Sequence, residues 1–162
     1  MSVASKVVDR AELLRRAAAW RAGGESVALA NGLFDLVHVG HLRYLEAASD
    51  EADRLVVAIN ADASARRLKG PDRPIVPEAE RAELIAGFGC VDAVVVFEET
   101  TVEPLLRELR PDVHCKGTDY TADTVPEREV ARSLGIRVAI TGDAKSHATR
   151  DIIARVRGPV RN

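Results

Sequence analysis

This sequence has little cysteine, few aromatic residues and no long apolar run. The two cysteines, Cys90 and Cys115, are too few for a disulfide framework or a cysteine-based zinc site. No apolar run approaches the roughly 18 residues that span a bilayer, and the first dozen residues lack the apolar stretch of a secretory signal. We therefore expect a cytoplasmic protein with no membrane partner.

A surplus of charge of one sign is missing as well. The 23 Lys and Arg against 25 Asp and Glu leave a formal net charge of -2, which gives no support to a protein that coats a polyanion. Aromatic residues make up only 4% of the chain, so few rings are available to stack on bases. Nucleic-acid binding is therefore the least expected function, although this balance leaves room for a local basic pocket.

What the chain does contain is a series of short apolar runs that alternate with helical patterns. Such runs are typical of strands that are buried on both faces of a parallel sheet. The length of 162 residues is the usual size of one domain. We predict an α/β fold, a single domain with a Rossmann-like, doubly wound parallel sheet. The predicted strands are 26–30, 55–59, 91–97, 113–115 and 137–141.

The helical patterns differ in clarity. Apolar residues at 102, 105, 106 and 109 give the cleanest amphipathic stripe. Shorter stripes are predicted at Leu84, Ile85 and Phe88 and at Ile152, Ile153 and Val156. A helical segment within residues 1–25 precedes the main domain, residues 26–162, and its Trp20 contacts another subunit or covers a sheet edge. The irregular stretch 67–77 contains three prolines, and a loop of that length is more often functional than idle.

The junction after the first strand carries the strongest chemical signal. It reads NGLFDLVHVGHLRY over residues 31–44, between an apolar strand and an amphipathic helix. His38 and His41 are three residues apart at the helix start, so both can face the same side. Gly40 lets a ligand approach the backbone, and the free amides and dipole of a helix start favour an anion such as a phosphate. Two imidazoles there can stabilise negative charge on phosphoryl oxygens.

Two plainer interpretations of the histidine pair are open. A metal pair on a helix usually has a third protein ligand, and the other histidines, His114 and His147, show no zinc spacing. A structural pair would cap the helix or fill the core. The crowding of other polar and glycine residues at the same junction favours a functional site; these are Asn31, Gly32, Asp35 and Gly40.

At these residues the sequence resembles a known family. HVGH preceded by GLFD resembles the HxGH signature of the nucleotidyltransferase superfamily, which includes cytidylyltransferases and pantetheine-phosphate adenylyltransferase. The ordered set NGLFDLVHVGHLRYL, VAINADASARRLKG, ERAELI and KGTDY resembles one branch, the adenylyltransferase domain of bifunctional ADP-heptose synthases and its stand-alone counterparts. The matches run in order across residues 26–157.

The resemblance implies a reaction and its participants. ATP lies over the HxGH helix, and the oxygen of a heptose 1-phosphate attacks its α-phosphorus and expels pyrophosphate. Mg²⁺ is implied as the cofactor, carried mainly by the ATP phosphates without a dedicated metal site on the protein. A separate sugar kinase would supply the sugar phosphate, the product would serve lipopolysaccharide or another glycoconjugate, and a homo-oligomer (a dimer or larger) is expected.

The resemblance also implies roles for individual residues. Catalytic roles are implied for His38, His41 and Lys69. Nucleotide contacts are implied for Asn31, Gly32, Phe34, Gly40, Lys116, Gly117, Asp119, Tyr120, Ser146 and Thr149. Substrate contacts are implied for Asp35, Asp62, Arg73 and Arg81.

Plainer interpretations are open for several of these residues. Lys69 is then an ordinary solvated loop lysine, and Asp62 caps a helix that begins near Ala63. Arg81 forms a salt bridge within its own helix, the KGTDY stretch is a plain turn, and Ser146 is an N-cap.

Three rival functions also fit the sequence. A cytidylyltransferase acting on glycerol 3-phosphate or a similar small phosphate would keep HVGH, as would an adenylyltransferase that forms FAD. The third rival is a nucleotide-binding module without catalysis, against which the intact histidine pair argues.

Overall fold

The computed structural model describes residues 1–144 and 148–158. The strands are β1 (Val27–Gly32), β2 (Arg54–Asn60), β3 (Ala93–Phe97), β4 (Val113–Gly117) and β5 (Arg137–Thr141). The helices are α1 (Val3–Lys6), α2 (Arg10–Ala22), α3 (Val39–Ser49), α4 (Asp62–Lys69), α5 (Glu78–Ala86), α6 (Glu103–Leu109), α7 (Arg128–Ser133) and α8 (Thr149–Arg157). Within these residues, no helix is both long enough and apolar enough to cross a bilayer.

The five strands form one parallel sheet in the order β3-β2-β1-β4-β5. Each predicted strand is present, so the prediction of a doubly wound α/β domain is confirmed. From β1 the chain builds outward to β2 and β3, then returns to the other side of β1 for β4 and β5. Ligands of such sheets bind beyond the carboxyl ends of the strands at this switch in order, which lies between β1 and β4.

Two apolar cores cover the two faces of the sheet. On one face, Leu29 and Val56 pack with the buried residues of α2 and α6, and on the other Ile59 and Val57 pack with α3 and α5. This arrangement explains why the strands lack simple alternation, since successive side chains enter different cores.

The N-terminal segment packs as part of this domain. The Asp9 carboxylate accepts the Glu12 amide and caps α2, and Leu13 on that helix is fully buried in the core. The amide of Val8 donates to Val94 on the edge strand β3. Trp20, which was predicted to contact another subunit or to cover a sheet edge, is partly buried against the same core.

Two of the predicted helical stripes are corrected. The stripe of α6 is buried as predicted, but Leu84 on α5 is 53% exposed because Arg81 and Ile85 occupy the inward positions of that helix. On α8, Val156 is 83% exposed, and none of the nine residues of this fully described helix is buried. The apolar pattern of α8 therefore does not mark a core contact.

Candidate active site

A cleft opens at the carboxyl ends of β1, β4 and β5, where α3 and α8 begin. Its volume is about 610 Å³, within the range of roughly 300–1,000 Å³ that small-molecule sites occupy. The predicted site residues that line it are Gly32, Phe34, Asp35, His38, Gly40, His41, Lys69, Arg73, Gly117, Asp119, Tyr120 and Thr149. Ser146 lies outside the described residues.

His38 and His41 cap α3 and line the cleft at the same time. Nδ1 of His38 accepts the amide of Gly40 at 3.1 Å, and Nδ1 of His41 accepts the amide of His38 at 3.2 Å. The two rings stack with their centroids 4.0 Å apart. The two histidines therefore do cap the helix, as the structural interpretation of the pair predicted, and these bonds fix both rings at the start of α3.

These caps determine which ring nitrogen carries the hydrogen. A nitrogen that accepts an N–H bond holds no proton of its own, so the neutral rings of His38 and His41 carry hydrogen on Nε2. The start of α3 adds backbone amides and the positive end of the helix dipole. This arrangement is suited to an anion whose charge grows during a reaction.

The turn between β1 and α3 has an unusual backbone. Phe34 and Leu36 have φ angles of 52° and 48°, a left-handed region that residues other than glycine rarely occupy and that is common at functional sites. The turn holds the Phe34 ring 5.4 Å from the ring of His41. Phe34 thereby supports the histidine from the core side of the cleft.

Tyr44 is a cleft residue that the sequence analysis missed. Its hydroxyl donates to the carbonyl of Cys115 at 2.7 Å. The paired register of β1 and β4 ends at Ala30 and Cys115, so this hydroxyl joins α3 to β4 at the point where the two strands part. Its position three residues after His41, on the same helical face, is the signal that could have found it.

Asp35 holds the segment that follows α4. Its buried carboxylate accepts the Arg73 side chain at 2.8 Å and the amides of Ile75 and Val76 at 2.9 and 3.0 Å. Burial alone would raise the pKa of Asp35, but these two amides and Arg73 outweigh burial and lower it below the ordinary value. Asp35 and Arg73, both predicted to contact substrate, therefore contact each other in this structure.

Arg81 is placed differently from its prediction. The side chain is fully buried, and its guanidinium donates to the carbonyls of Leu33, Asn60 and Val76 and to the carboxylate of Asp62 at 2.8 Å. It joins α5 to the ends of β1 and β2. We therefore correct both predictions for Arg81: none of these partners lies in α5, so the salt bridge is not within its own helix, and the side chain does not line the cleft in which a substrate would bind.

Asp62 and Lys69 also differ from the sequence expectations. Asp62 is the first residue of α4 and not its cap, which is Ala61 without a side-chain bond, and its carboxylate is paired with Arg81 outside the cleft lining. Lys69 is the last residue of α4 and not part of a loop. It lines the cleft, and the last turn of α4 fixes the position of its Cα at the cleft edge.

Lys116 lies behind the cleft and not on its surface. Its ammonium is 3.9 Å from the buried carboxylate of Glu127 and 4.8 Å from the centre of the Tyr120 ring. Burial lowers the pKa of Lys116, and Glu127 opposes part of that shift. Of the KGTDY stretch, residues 117–120 line the cleft, and Lys116 supports them from below.

Asn31 is held in a similar way. It is half-buried, and its side-chain oxygen is 2.8 Å from Nε2 of His114 on β4. No role was predicted for His114, because its contact with Asn31 forms only when β1 and β4 lie side by side.

The far side of the cleft is formed by β5 and α8. Gly142 has a φ of 97°, and a Cβ built there would lie 3.2 Å from the Cα of Tyr44. Asp143 pairs with Arg43 of α3 at 2.8 Å, and the Thr149 hydroxyl donates to the carbonyl of Asp35 at 2.7 Å. Gly142, Asp143 and Arg43 are not among the predicted site residues, because no local signal links these side chains to the histidines.

The donor set is compatible with an ion that arrives on a nucleotide. Within residues 1–144 and 148–158, no three metal-ligating side chains converge. Asp119 and Asp143 line the cleft, and Mg²⁺ commonly uses only one or two carboxylates together with phosphate oxygens.

Comparison with known proteins places this cleft in a family. The pattern of the family described as cytidylyltransferase-like matches residues 29–152. The chain is 43% identical over 153 residues to the bifunctional protein HldE of Methylobacillus flagellatus, a match that covers 94% of this chain and 31% of that protein. It is 47% identical over 152 residues to the bifunctional protein HldE of Acidiphilium cryptum, with the same shares of 94% and 31%. The chain thus spans about a third of the length of these curated relatives.

A solved structure agrees with this assignment. The crystal structure of the lipopolysaccharide core biosynthesis protein from Thermoplasma volcanium GSS1 superposes with a TM-score of 0.64 at 27% identity, covering 75% of this chain and 100% of that one. The resemblance stated from the sequence motifs is thereby confirmed. With its parallel sheet, its HVGH motif at the start of α3 and its match over residues 29–152, the chain belongs to the cytidylyltransferase-like family.

Proposed function

We propose that this protein transfers AMP from ATP to D-glycero-β-D-manno-heptose 1-phosphate, giving ADP-heptose and pyrophosphate. The observation that carries the proposal is the stacked pair of His38 and His41 at the start of α3, inside a cleft of nucleotide size. The choice of sugar is supported by the motifs shared with bifunctional ADP-heptose synthases and by the relatives named bifunctional protein HldE.

The proposed reaction requires positioning more than it requires a base. A sugar phosphate is already largely dianionic at neutral pH, because its second pKa is about 6. One of its oxygens attacks the α-phosphorus, and the bond from that phosphorus to the oxygen leading to the β-phosphate breaks. Pyrophosphate leaves with the electron pair of that bond. The Nε2–H groups of His38 and His41 donate to the α-phosphate oxygens, whose charge they stabilise most in the transition state.

Cations on the same side of the cleft complete the phosphate site. Lys69 projects from the end of α4 as a mobile point charge for the phosphates, and Arg73 lies nearby on the segment that Asp35 holds. Mg²⁺ carried on the ATP phosphates would neutralise part of their charge. Asp119 and Asp143, which line the cleft, are the carboxylates that would hold it.

The direct test is release of pyrophosphate with Mg²⁺, offering ATP and CTP separately with heptose 1-phosphate. We expect release with ATP, and mass spectrometry should identify ADP-heptose as the second product. Release with CTP alone would keep the histidine mechanism and overturn the choice of nucleotide. The double variant His38→Ala/His41→Ala is the control, and it should release no pyrophosphate.

If neither ATP nor CTP gives pyrophosphate release with heptose 1-phosphate, the choice of sugar is overturned. Glycerol 3-phosphate with CTP and FMN with ATP are then the acceptors to offer, because these are the reactions of the two rival enzymes. A protein that binds ATP and turns over none of these acceptors would be the nucleotide-binding module without catalysis.

We also propose two partners beyond the substrates. The acceptor needs a phosphate on the sugar, so a sugar kinase must act before this reaction, in agreement with the bifunctional relatives. The homo-oligomer expected from the sequence stays a prediction, and light scattering on the purified chain measures it.

A further inference from the structure

His114 is a buried histidine that the proposed mechanism does not use. It is the second residue of β4 and is fully buried, next to Leu29 of β1 in the strand register. Its Nε2 is 2.8 Å from the side-chain oxygen of Asn31. Its Nδ1 is buried and has no hydrogen-bond partner in the part of the chain that the structure describes.

The surroundings determine the form of this ring. Burial, with a smaller effect from Lys116, lowers the pKa of His114 to about 3, so the ring is neutral at working pH. The bond to the Asn31 oxygen places the single hydrogen on Nε2. Nδ1 then keeps only an unpartnered lone pair, which costs less in a protein interior than an unpartnered N–H group.

The side chain of Asn31 is thereby fixed in one orientation, because its oxygen accepts from His114. With the oxygen taken, the NH₂ group of the amide is the end left to act as a donor. Asn31 is half-buried and stands directly beside the cleft, since the next residue, Gly32, lines it.

The unpartnered Nδ1 also argues that this histidine is not there for stability. A buried polar atom without a partner destabilises the folded state, and the neighbouring core is apolar. A leucine at position 114 would fill similar space without this cost. A residue that weakens the fold at the switch point between β1 and β4 requires another explanation.

We infer that His114 is a positioning residue for nucleotide binding, which holds the Asn31 amide so that its NH₂ group donates to an oxygen of the nucleotide. The inference rests on the proposed function to the extent that the cleft takes a nucleoside triphosphate. It concerns binding, so it can be tested whether or not the sugar is correct. The acceptor on the nucleotide is a ribose hydroxyl or a phosphate oxygen, both of which accept an N–H donor.

The test compares three variants of β4 by calorimetric titration with ATP. His114→Leu should weaken ATP binding about three- to ten-fold, the value of one neutral hydrogen bond, while its melting temperature equals or exceeds that of the parent. His114→Gln, which keeps an N–H near the position of Nε2, should restore most of the affinity. Cys115→Ala is the matched control, since its side chain points to the opposite core, and it should bind ATP like the parent.

A double-variant cycle keeps the inference falsifiable if the leucine variant folds poorly. His114→Val, a smaller residue that also lacks the N–H, should lose as much affinity as Asn31→Ala, and Asn31→Ala/His114→Val should lose no more than either single variant, because His114 acts through Asn31. Additive losses would overturn the inference. So would ATP binding by His114→Leu that equals that of Cys115→Ala.

Titration with 2′-deoxy-ATP identifies the acceptor. A loss that disappears with this nucleotide assigns the ribose 2′-hydroxyl, and an equal loss assigns another oxygen; both support the inference. A parent protein that binds ATP but makes no ADP-heptose overturns the proposed function and leaves this inference standing. A parent that binds neither ATP nor CTP overturns both.

Discussion

The two sides of the cleft are built differently. The histidine wall, residues 32–44 and 69–81, is tied together by buried polar bonds, with Asp35 and Arg81 almost fully enclosed. The α8 wall, residues 141–144 and 148–158, is joined to Arg43 of the histidine wall by an exposed ion pair from Asp143, and its helix has no buried residue. One wall has its donors in place before a ligand arrives, which is what stabilisation of a transition state needs. The other has few contacts, so its local stability is expected to be low.

Removal of Arg81 should have the largest effect on the histidine wall. Arg81→Met leaves the Asp62 carboxylate and three carbonyls without their partner, so we expect the free energy of unfolding to fall by about 3–5 kcal/mol. Urea unfolding measures it. Arg15→Met, at an exposed arginine, is the control and should change stability by less than about 0.5 kcal/mol. A similar small change for Arg81→Met would contradict the bracing role.

Loss of one histidine donor should have the next largest effect. His41→Asn keeps an acceptor for the His38 amide but has no group at the place of Nε2, so we expect the unfolding free energy to hold while kcat falls about 10²–10³-fold. ATP affinity should change far less than kcat, since the contact strengthens mainly in the transition state. His41→Gln, which keeps a donor near Nε2, should retain more activity than His41→Asn. Equal losses in kcat and in ATP affinity would contradict the role of His41 as a transition-state donor.

The Asp35 carboxylate should show a smaller effect that depends on pH. Asp35→Asn loses an acceptor for the Ile75 and Val76 amides, so we expect a cost of about 1–3 kcal/mol at pH 7. Because the folded pKa lies below the ordinary value of about 3.9, the stabilisation is complete above that pH and is lost as the pH falls through the lowered pKa. The difference between parent and variant should therefore shrink toward pH 3.

Urea unfolding at both pH values checks this expectation. Asp123→Asn, at an exposed carboxylate, is the control for a change of charge alone. A difference between parent and Asp35→Asn that is the same at pH 7 and pH 3 would mean that the carboxylate does not hold the segment through its charge.

The smallest effect is expected on the α8 wall. Thr149→Val removes the hydroxyl that donates to the Asp35 carbonyl, and we expect it to cost about 1 kcal/mol or less of unfolding free energy. Thr149→Ser keeps that hydroxyl and should match the parent. A loss for Thr149→Val as large as that for Arg81→Met would remove the contrast between the two walls.

The same contrast explains what could be predicted from the sequence. The five strands and the histidine pair were predicted because their signals are local: apolar runs, and two imidazoles one helical turn apart beside a glycine. The buried role of Arg81 has no such signal, because its partners are carbonyls at Leu33, Asn60 and Val76 that only the packed fold brings together. A charge in a helical sequence is ordinarily assigned to the surface.

The prediction from the apolar stripe of α8 was wrong for the opposite reason, because here a local signal was present and no core contact corresponds to it. Its periodicity is that of a core-facing helix, yet periodicity states only that a helix has two different faces and not what covers the apolar one. The ends of α4 were also predicted one or two residues from their observed positions, since Asp62 is its first residue and Lys69 its last, and helix boundaries are the least certain part of a helix prediction.

The absence of a side chain at Gly142 sets the distance between the two walls of the cleft. Its Cβ would meet the backbone of Tyr44 at 3.2 Å, and its φ of 97° is strained for any other residue. The end of β5 therefore touches α3 backbone to backbone, and any side chain at this position would push the α8 wall away from the histidines. In evolutionary terms, this position is a short route to a wider cleft, because a single codon change there moves the two walls apart without replacing either histidine.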